Sequence, residues 1–229
     1  LPVCECGNVP VVRKFLKNNL SVSHSLSFLL AAPIINPITI WTTYVAFNYD
    51  FSFVYLRILL ALLASTLIGV IFSFAKNQEN FLTKSFYKEV CNVQHKSNFK
   101  SNVKEFIKEF TNMMFAMIIG SLIAAATQII VPRSVFLNLG EHLIFSVLTM
   151  LILAFIISIC ASVDAFFALS YVTSFTKGSI ISFLIFGPMV DIKMITMLKT
   201  TFKSNFIIKF SVIIFLYSFL VGLIINTML

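Results

Sequence analysis

Ala32-Pro33-Ile34-Ile35-Asn36-Pro37, lying inside an otherwise apolar run from Leu20 to Phe47, is the stretch that decides how this chain folds. Proline removes a backbone donor and clashes with the preceding turn, so a helix entering this run should break at Pro33. Asn36 is a good N-cap and Pro37 is preferred at the first helical position, so a second helix should start there. Lys177–Thr201 repeats the pattern with Gly187-Pro188-Met189-Val190-Asp191, where Pro188 breaks the helix and Asp191 caps the next one. An interrupted helix inside an apolar region is tolerated at membrane depth only where protein or a polar cavity satisfies the freed backbone groups.

The surroundings of the two breaks make the bilayer the natural solvent. Hydrophobic residues form 59% of the chain and charged residues 11%, with a mean hydropathy of +0.96. A soluble domain carries about 25% charged residues. Tyr55–Phe74, Thr111–Val131, His142–Ser162 and Phe206–Asn226 are each long enough to cross a hydrocarbon core of about 30 Å. The expected fold is therefore all-α, a polytopic transmembrane helical bundle. Twenty-six Phe and three Arg point to an AT-rich coding genome, that of a low-GC bacterium or an organelle.

The two broken regions read as copies. A shift of 155 residues pairs Ser27-Phe28-Leu29 with Ser182-Phe183-Leu184, Pro33 with Pro188 and Asn36 with Asp191. With a one-residue gap, Asn8 falls opposite Asp164. Each copy is followed by one full span. Residues 75–110 hold seven lysines against four glutamates, which puts this segment on the cytoplasmic or stromal side. Lys193, Lys199, Lys203 and Lys209 flank the start of the last span, so it leaves from that same side. Tyr55–Phe74 must run towards it, and the equivalent spans are antiparallel.

Two inverted repeats are expected, with residues 1–75 as the first, 76–110 as a basic loop and 111–229 as the second. Substrate sites in such proteins lie between the repeats near mid-membrane. The second copy is preceded by two spans and the first begins at Leu1, so about two N-terminal spans are expected to be missing upstream. In the basic loop, Phe99, Val103, Phe106, Ile107 and Phe110 fall at helical spacing, as expected of a surface helix or one lying on anionic headgroups.

The charge of +8 does not indicate nucleic acid, because the lysines lie in the segments between spans. No P-loop, dinucleotide fingerprint or zinc-protease motif is present, so neither an enzyme nor a cofactor is expected. Four cysteines are too scattered for a disulfide framework. Of nine acids, Glu5, Asp164 and Asp191 fall in or beside the copied motifs. Ionisable groups at membrane depth are costly and usually face a cavity or a partner. Asp164 reads either as a helix cap or as a carboxylate that couples transport to protons. Cys4 and Cys6 read either as packed small hydrophobes or as soft ligands for a metal ion or arsenical. The expected substrate-binding set is Cys4, Cys6, Asn36, Asp164 and Asp191, with Cys4 and Cys6 as the metal-ligand pair. Two other readings stay open: a non-transporting assembly subunit, and a membrane thiol oxidoreductase using Cys4 and Cys6.

Pro2-Val3-Cys4-Glu5-Cys6-Gly7-Asn8-Val9-Pro10-Val11, with Phe28–Pro37 after it, resembles the first signature of the predicted-permease family that includes the organoarsenical efflux permeases. Ser162-Val163-Asp164-Ala165-Phe166 with Phe183–Asp191 resembles the second. The resemblance implies a multipass permease exporting a small solute, a trivalent organoarsenical or a soft metal ion, with Cys4 and Cys6 at substrate-binding positions. Many relatives carry a thiol or hydroxyl where Glu5 stands, which leaves the substrate open. The family also occurs in plastids, so a bacterial cytoplasmic membrane or a plastid membrane is expected. The lipid bilayer is the implied partner; no oligomeric state is implied.

Overall fold

In the computed structural model the described residues are 5–75, 78–91, 107, 111, 114–126 and 143–228. They form eleven helices: α1 Glu5–Lys17, α2 Val22–Ala31, α3 Pro37–Ala46, α4 Phe51–Ser73, α5 Lys84–Cys91, α6 Met114–Ala126, α7 Leu143–Ile157, α8 Asp164–Leu169, α9 Lys177–Met189, α10 Ile192–Leu198 and α11 Ser204–Met228. Extended pairing among the described residues is limited to one bridge, Leu82 to Phe202. The molecule is a helical membrane bundle. Among the described residues three segments are long and apolar enough to cross: α4, α11, and α9 with α10 counted together.

The third of these is the centre of the bundle. Of its apolar window 72% is buried, against 39% for α4 and 33% for α11. A helix that is apolar on all sides is stable only when wrapped by others or by lipid. Here α7, α8, α11, α4 and α2 all pack on α9. The outer faces of α4 and α11 instead expose Leu63, Val70, Val212, Leu216 and Leu220, as lipid-facing helices do.

Both expected caps form. Asn36 Oδ1 accepts a hydrogen bond from Ile38 N at 3.0 Å, with Pro37 at the first helical position. Asp191 Oδ1 accepts from Met194 N at 2.6 Å. The first break comes at Pro33, within the turn between α2 and α3. The second differs from expectation, because Pro188 is the penultimate residue of α9 and the chain leaves the helix at Val190 (φ −147°, ψ 113°). A missing N–H near a helix end releases only one carbonyl, and the cap at Asp191 fixes where the next helix starts.

Two pairs of helix starts recur at one fixed spacing. α9 and α10 begin 155 residues after α2 and α3. A serine ties each first half-helix to the span that follows. Ser27 Oγ donates to Ser65 O at 3.0 Å on α4, and Ser182 Oγ donates to Ser218 O at 2.9 Å on α11. Four residues beyond each acceptor stands a glycine, Gly69 or Gly222, and a Cβ there would collide with the same serine hydroxyl. Small residues and hydroxyl bonds are how helices approach closely where lipid supplies no hydrophobic drive.

One other span departs from the sequence expectation. His142–Ser162 is shortened to α7, which stops where Ser158 adopts φ 50°. Within Thr111–Val131 every described residue, Thr111 and 114–126, is helical, the others lying outside the described residues, and α6 brings Gly120 against Lys193 and Thr196 of α10. Most of the basic loop lies outside the described residues, its amphipathic stretch included apart from Ile107. Its first part is docked rather than free: Thr83 N donates to Thr201 O and Lys203 N to Phe81 O, both at 2.9 Å.

Candidate functional site

The first break is held open by its own polar side chains. Ala32 N and Ile35 N still donate to Phe28 O and Ala31 O, but Pro37, four residues after Pro33, has no N–H, so the Pro33 carbonyl lacks its helical partner. Thr39 Oγ1, one turn into α3, donates to it at 3.0 Å. Thr43 Oγ1 donates to Thr39 O at 2.7 Å and also accepts from Arg57 Nη1 at 2.7 Å. Arg57 lies in α4, within an otherwise apolar span, and its Nη2 is paired with Asp164 Oδ2 at the start of α8. Both charged side chains are 2% exposed. A chain of hydrogen bonds thus runs from the break, through two threonines and an arginine, to a carboxylate 107 residues further along the sequence.

Two opposite charges with this burial are stable only as a pair, since each alone would bear the desolvation cost of a buried ion. Asp164 also stands in the first turn of α8, where the helix dipole favours an anion. Asp164 Oδ1 and Arg57 Nε are buried and have no hydrogen-bond partner among the described residues. The pair therefore keeps one acceptor and one donor in reserve, and native structures leave few such groups unmatched.

Depth follows from helix lengths. α2 and α3 have ten residues each, about 15 Å, or half the hydrocarbon thickness. A junction between two such half-length helices suits a position inside the hydrocarbon layer. Arg57 is six residues, about 9 Å, into α4 from the end marked by exposed Trp41, Tyr49, Phe51 and Tyr55. Such an aromatic cluster is characteristic of the membrane–water interface.

Beside the break is a pocket of about 340 Å³ lined by Asn8, Val11, Phe28, Ala31, Ala32, Ile35, Asn36 and Pro37. Its walls are apolar except for the two asparagines. Asn8 is 3% exposed and its Nδ2 has no partner among the described residues. Asn36 spends its carbonyl oxygen on the cap. Cys6 belongs to α1, two residues before Asn8, but its side chain lies outside the described residues, as does all of Cys4.

The second break is built differently. Ser158, in the left-handed region, donates to Phe155 O at 3.1 Å and accepts from Ile192 N at 3.2 Å. It ties the end of α7 to the start of α10 next to the Asp191 cap. The structure gives each described member of the sequence-derived set its own local role. Asn36 and Asp191 cap separate helices, Asp164 joins the first break through Arg57, and Cys4 and the Cys6 side chain lie outside the description. Among the described residues no three His, Cys, Asp or Glu side chains gather as a metal site. His24 is exposed, at the start of α2, with its Nδ1 against Ser21 Oγ.

Two arginines were missed by reading motifs. Arg57 was legible as a rare cation inside a span. Arg13, on α1, is 5% exposed; it donates to Thr200 O and to the hydroxyls of Thr200 and Thr201, and lies 4.4 Å over the Phe86 ring. The one carbonyl among these partners, that of Thr200, lies two residues past the end of α10. α1 therefore packs on α10, and α8 packs on α3.

The whole described bundle falls within a single family match. Residues 1–227 match the family model described as a predicted permease. The chain belongs to the predicted-permease family. The permease is 35% identical over 228 residues to a protein of Streptococcus mutans serotype c, covering 96% of this chain and 76% of the relative. The provisional description of that relative is a subunit of a two-component membrane permease complex. It is 39% identical over 210 residues to the UPF0718 protein YcgR of Bacillus subtilis, covering 90% of this chain and 71% of the relative. No solved structure matches the permease at a significant level.

Proposed function

We propose that this permease moves a small solute through a path between two inverted halves, with the Pro33–Pro37 break and the Arg57–Asp164 pair at its centre. The observation that carries the reading is that pair: two charges 2% exposed, one from each half, hydrogen-bonded to a helix break beside a pocket. A bundle with only a scaffolding role gains nothing from charges at that depth, because apolar residues of similar volume pack at least as stably. The repeated helix starts and the repeated serine bridge support the two-repeat organisation, as does the mutual packing of α1 on α10 and α8 on α3. The proposed units are residues 1–75 and 111–229, joined by 76–110, which the lysine distribution puts on the cytoplasmic side.

The solute we propose is thiophilic, a trivalent organoarsenical or a soft metal ion, bound through Cys4 and Cys6 and exported. The family resemblance and the two thiols next to Asn8 support it. Asp164 would carry the proton that drives export, with Arg57 fixing its charge state, and the protein acts as a transporter rather than an enzyme. Both curated relatives are bacterial, which supports the bacterial cytoplasmic membrane over a plastid. Everted vesicles containing the complete protein test this, offered methylarsenite or Cu(I). Uptake that a C4S/C6S variant abolishes is expected; uptake unaffected by that variant removes the thiols from the site.

A second reading comes from the Streptococcus mutans relative, whose description as a complex subunit supports a partner membrane protein for this chain too. Co-purification of one stoichiometric partner from the native membrane is its test.

A further inference from the structure

At the opposite end of α4 from the aromatic cluster lies a larger pocket, of about 550 Å³, lined by Ile71, Phe72, Phe74, Ala75, Asn80, Phe81, Lys203, Asn205, Phe206 and Lys209. It forms because the segment after α4 folds back onto the start of α11. Lys203 N donates to Phe81 O, and Phe81 stacks on Phe206 with ring centroids 4.7 Å apart. Phe72 closes the floor against Phe206, at 5.0 Å. The result is an aromatic cup with two ammonium groups and two amides at its rim, and no carboxylate lines it among the described residues.

Lys209 decides what this cup holds. It is five residues into α11, about 8 Å along a span that the bilayer must cover. A cation at that depth is costly unless it reaches the headgroups or meets an anion, and a lysine stem can carry its ammonium towards the surface. The side chain does reach the pocket, yet neither Lys209 nor Lys203 has an acid partner among the described residues. The outer surfaces running away from the cup expose Ile71 and Val70 on α4 and Ile208 and Val212 on α11. They provide an apolar track on either side.

We propose that this pocket binds the headgroup of an anionic phospholipid, with its phosphodiester between Lys203 and Lys209 and its acyl chains along α4 and α11. Asn80 and Asn205 supply amide donors to the remaining headgroup oxygens. A free phosphate would satisfy the same two lysines but would leave the aromatic floor and the apolar track uncovered. The lipid would clamp the end of α4 to the beginning of α11.

The test is native mass spectrometry of the complete protein in mild detergent, titrated with palmitoyl-oleoyl phosphatidylglycerol or the matching phosphatidylcholine. The wild type is expected to retain phosphatidylglycerol about thirtyfold better, the combined worth of two lysines near an anionic surface. K203Q/K209Q is expected to lose that preference, and K84Q/K199Q, which removes two exposed lysines outside the cup, to keep it. K203R/K209R retains the charge and is expected to keep the preference, and single K209Q to lower it, so the proposal stays testable if the double glutamine variant does not fold. Millimolar glycerol 3-phosphate should not displace the lipid. Equal retention of the two lipids by the wild type overturns the proposal, as does a preference that survives K203Q/K209Q. An equal loss in K84Q/K199Q would reduce the effect to overall charge, and displacement by glycerol 3-phosphate would reduce the pocket to a site for soluble anions; either result overturns it.

Discussion

Arg57 and Asp164 form a buried ion pair that joins α4 to α8. Arg57 also donates to Thr43, which ties the pair to the first helix break. Removing one member leaves an uncompensated charge, at about 3–5 kcal/mol, whereas removing both replaces an ion pair with a neutral one. R57Q and D164N should therefore each lower thermal stability in detergent sharply, and R57Q/D164N should recover most of the loss. A double variant as unstable as the sum of the singles would mean that the two side chains act independently.

Asp191 combines a cap and a charge, and the two can be separated. D191A should cost about 1–2 kcal/mol through loss of the bond from Met194 N. D191N keeps an oxygen acceptor and should fall within about 0.5 kcal/mol of wild type. If D191N nevertheless loses transport, the negative charge belongs to the solute path as well as to the helix end.

Ser158 should respond in an unusual order. Its φ of 50° favours glycine, while its hydroxyl accepts from Ile192 N. S158A keeps the backbone strain and loses the bond, so it should be the less stable variant. S158G relieves the strain and should regain about 1 kcal/mol of that loss. Thermal unfolding of the two side by side distinguishes this order from its reverse.

The paired glycines should not tolerate alanine equally. At Gly69 a methyl group meets the hydroxyl of Ser27, which can rotate away. At Gly222 it also meets Val147 Cγ1 at 2.8 Å and the Gly178 carbonyl at 3.2 Å. Overpacking of this kind costs about 1–3 kcal/mol. G222A should therefore lose more folded protein than G69A, measured as the monodisperse fraction on size exclusion.

Local chemistry was legible in the sequence and long-range partners were not. Asn36 before Pro37 and Asp191 before Ile192 mark helix starts that depend only on neighbouring residues, and both form where expected. Pro188 was a weaker guide, because a proline near a helix end can be absorbed and the cap beyond it sets the boundary. The spacing Ser65–Gly69 and Ser218–Gly222 was visible but carries meaning only once Ser27 and Ser182 are seen to touch those carbonyls. Arg57 was missed although a cation inside a span is itself a signal. Its pairing with Asp164 carried none, since no periodicity relates residues 107 positions apart on different helices. Arg13 was hidden for the same reason, its partners lying at the far end of the chain.

The most direct test of the ion pair as the centre of transport is methylarsenite uptake into everted vesicles containing the complete protein as wild type, R57K or R57Q/D164N. Each protein's fold is verified by size exclusion. The double variant is predicted to fold and to be inactive, while R57K, which keeps the charge but not the fork to Thr43 and Asp164, should retain reduced uptake. A folded double variant that takes up methylarsenite at the wild-type rate would contradict this and reduce the Arg57–Asp164 pair to a packing element.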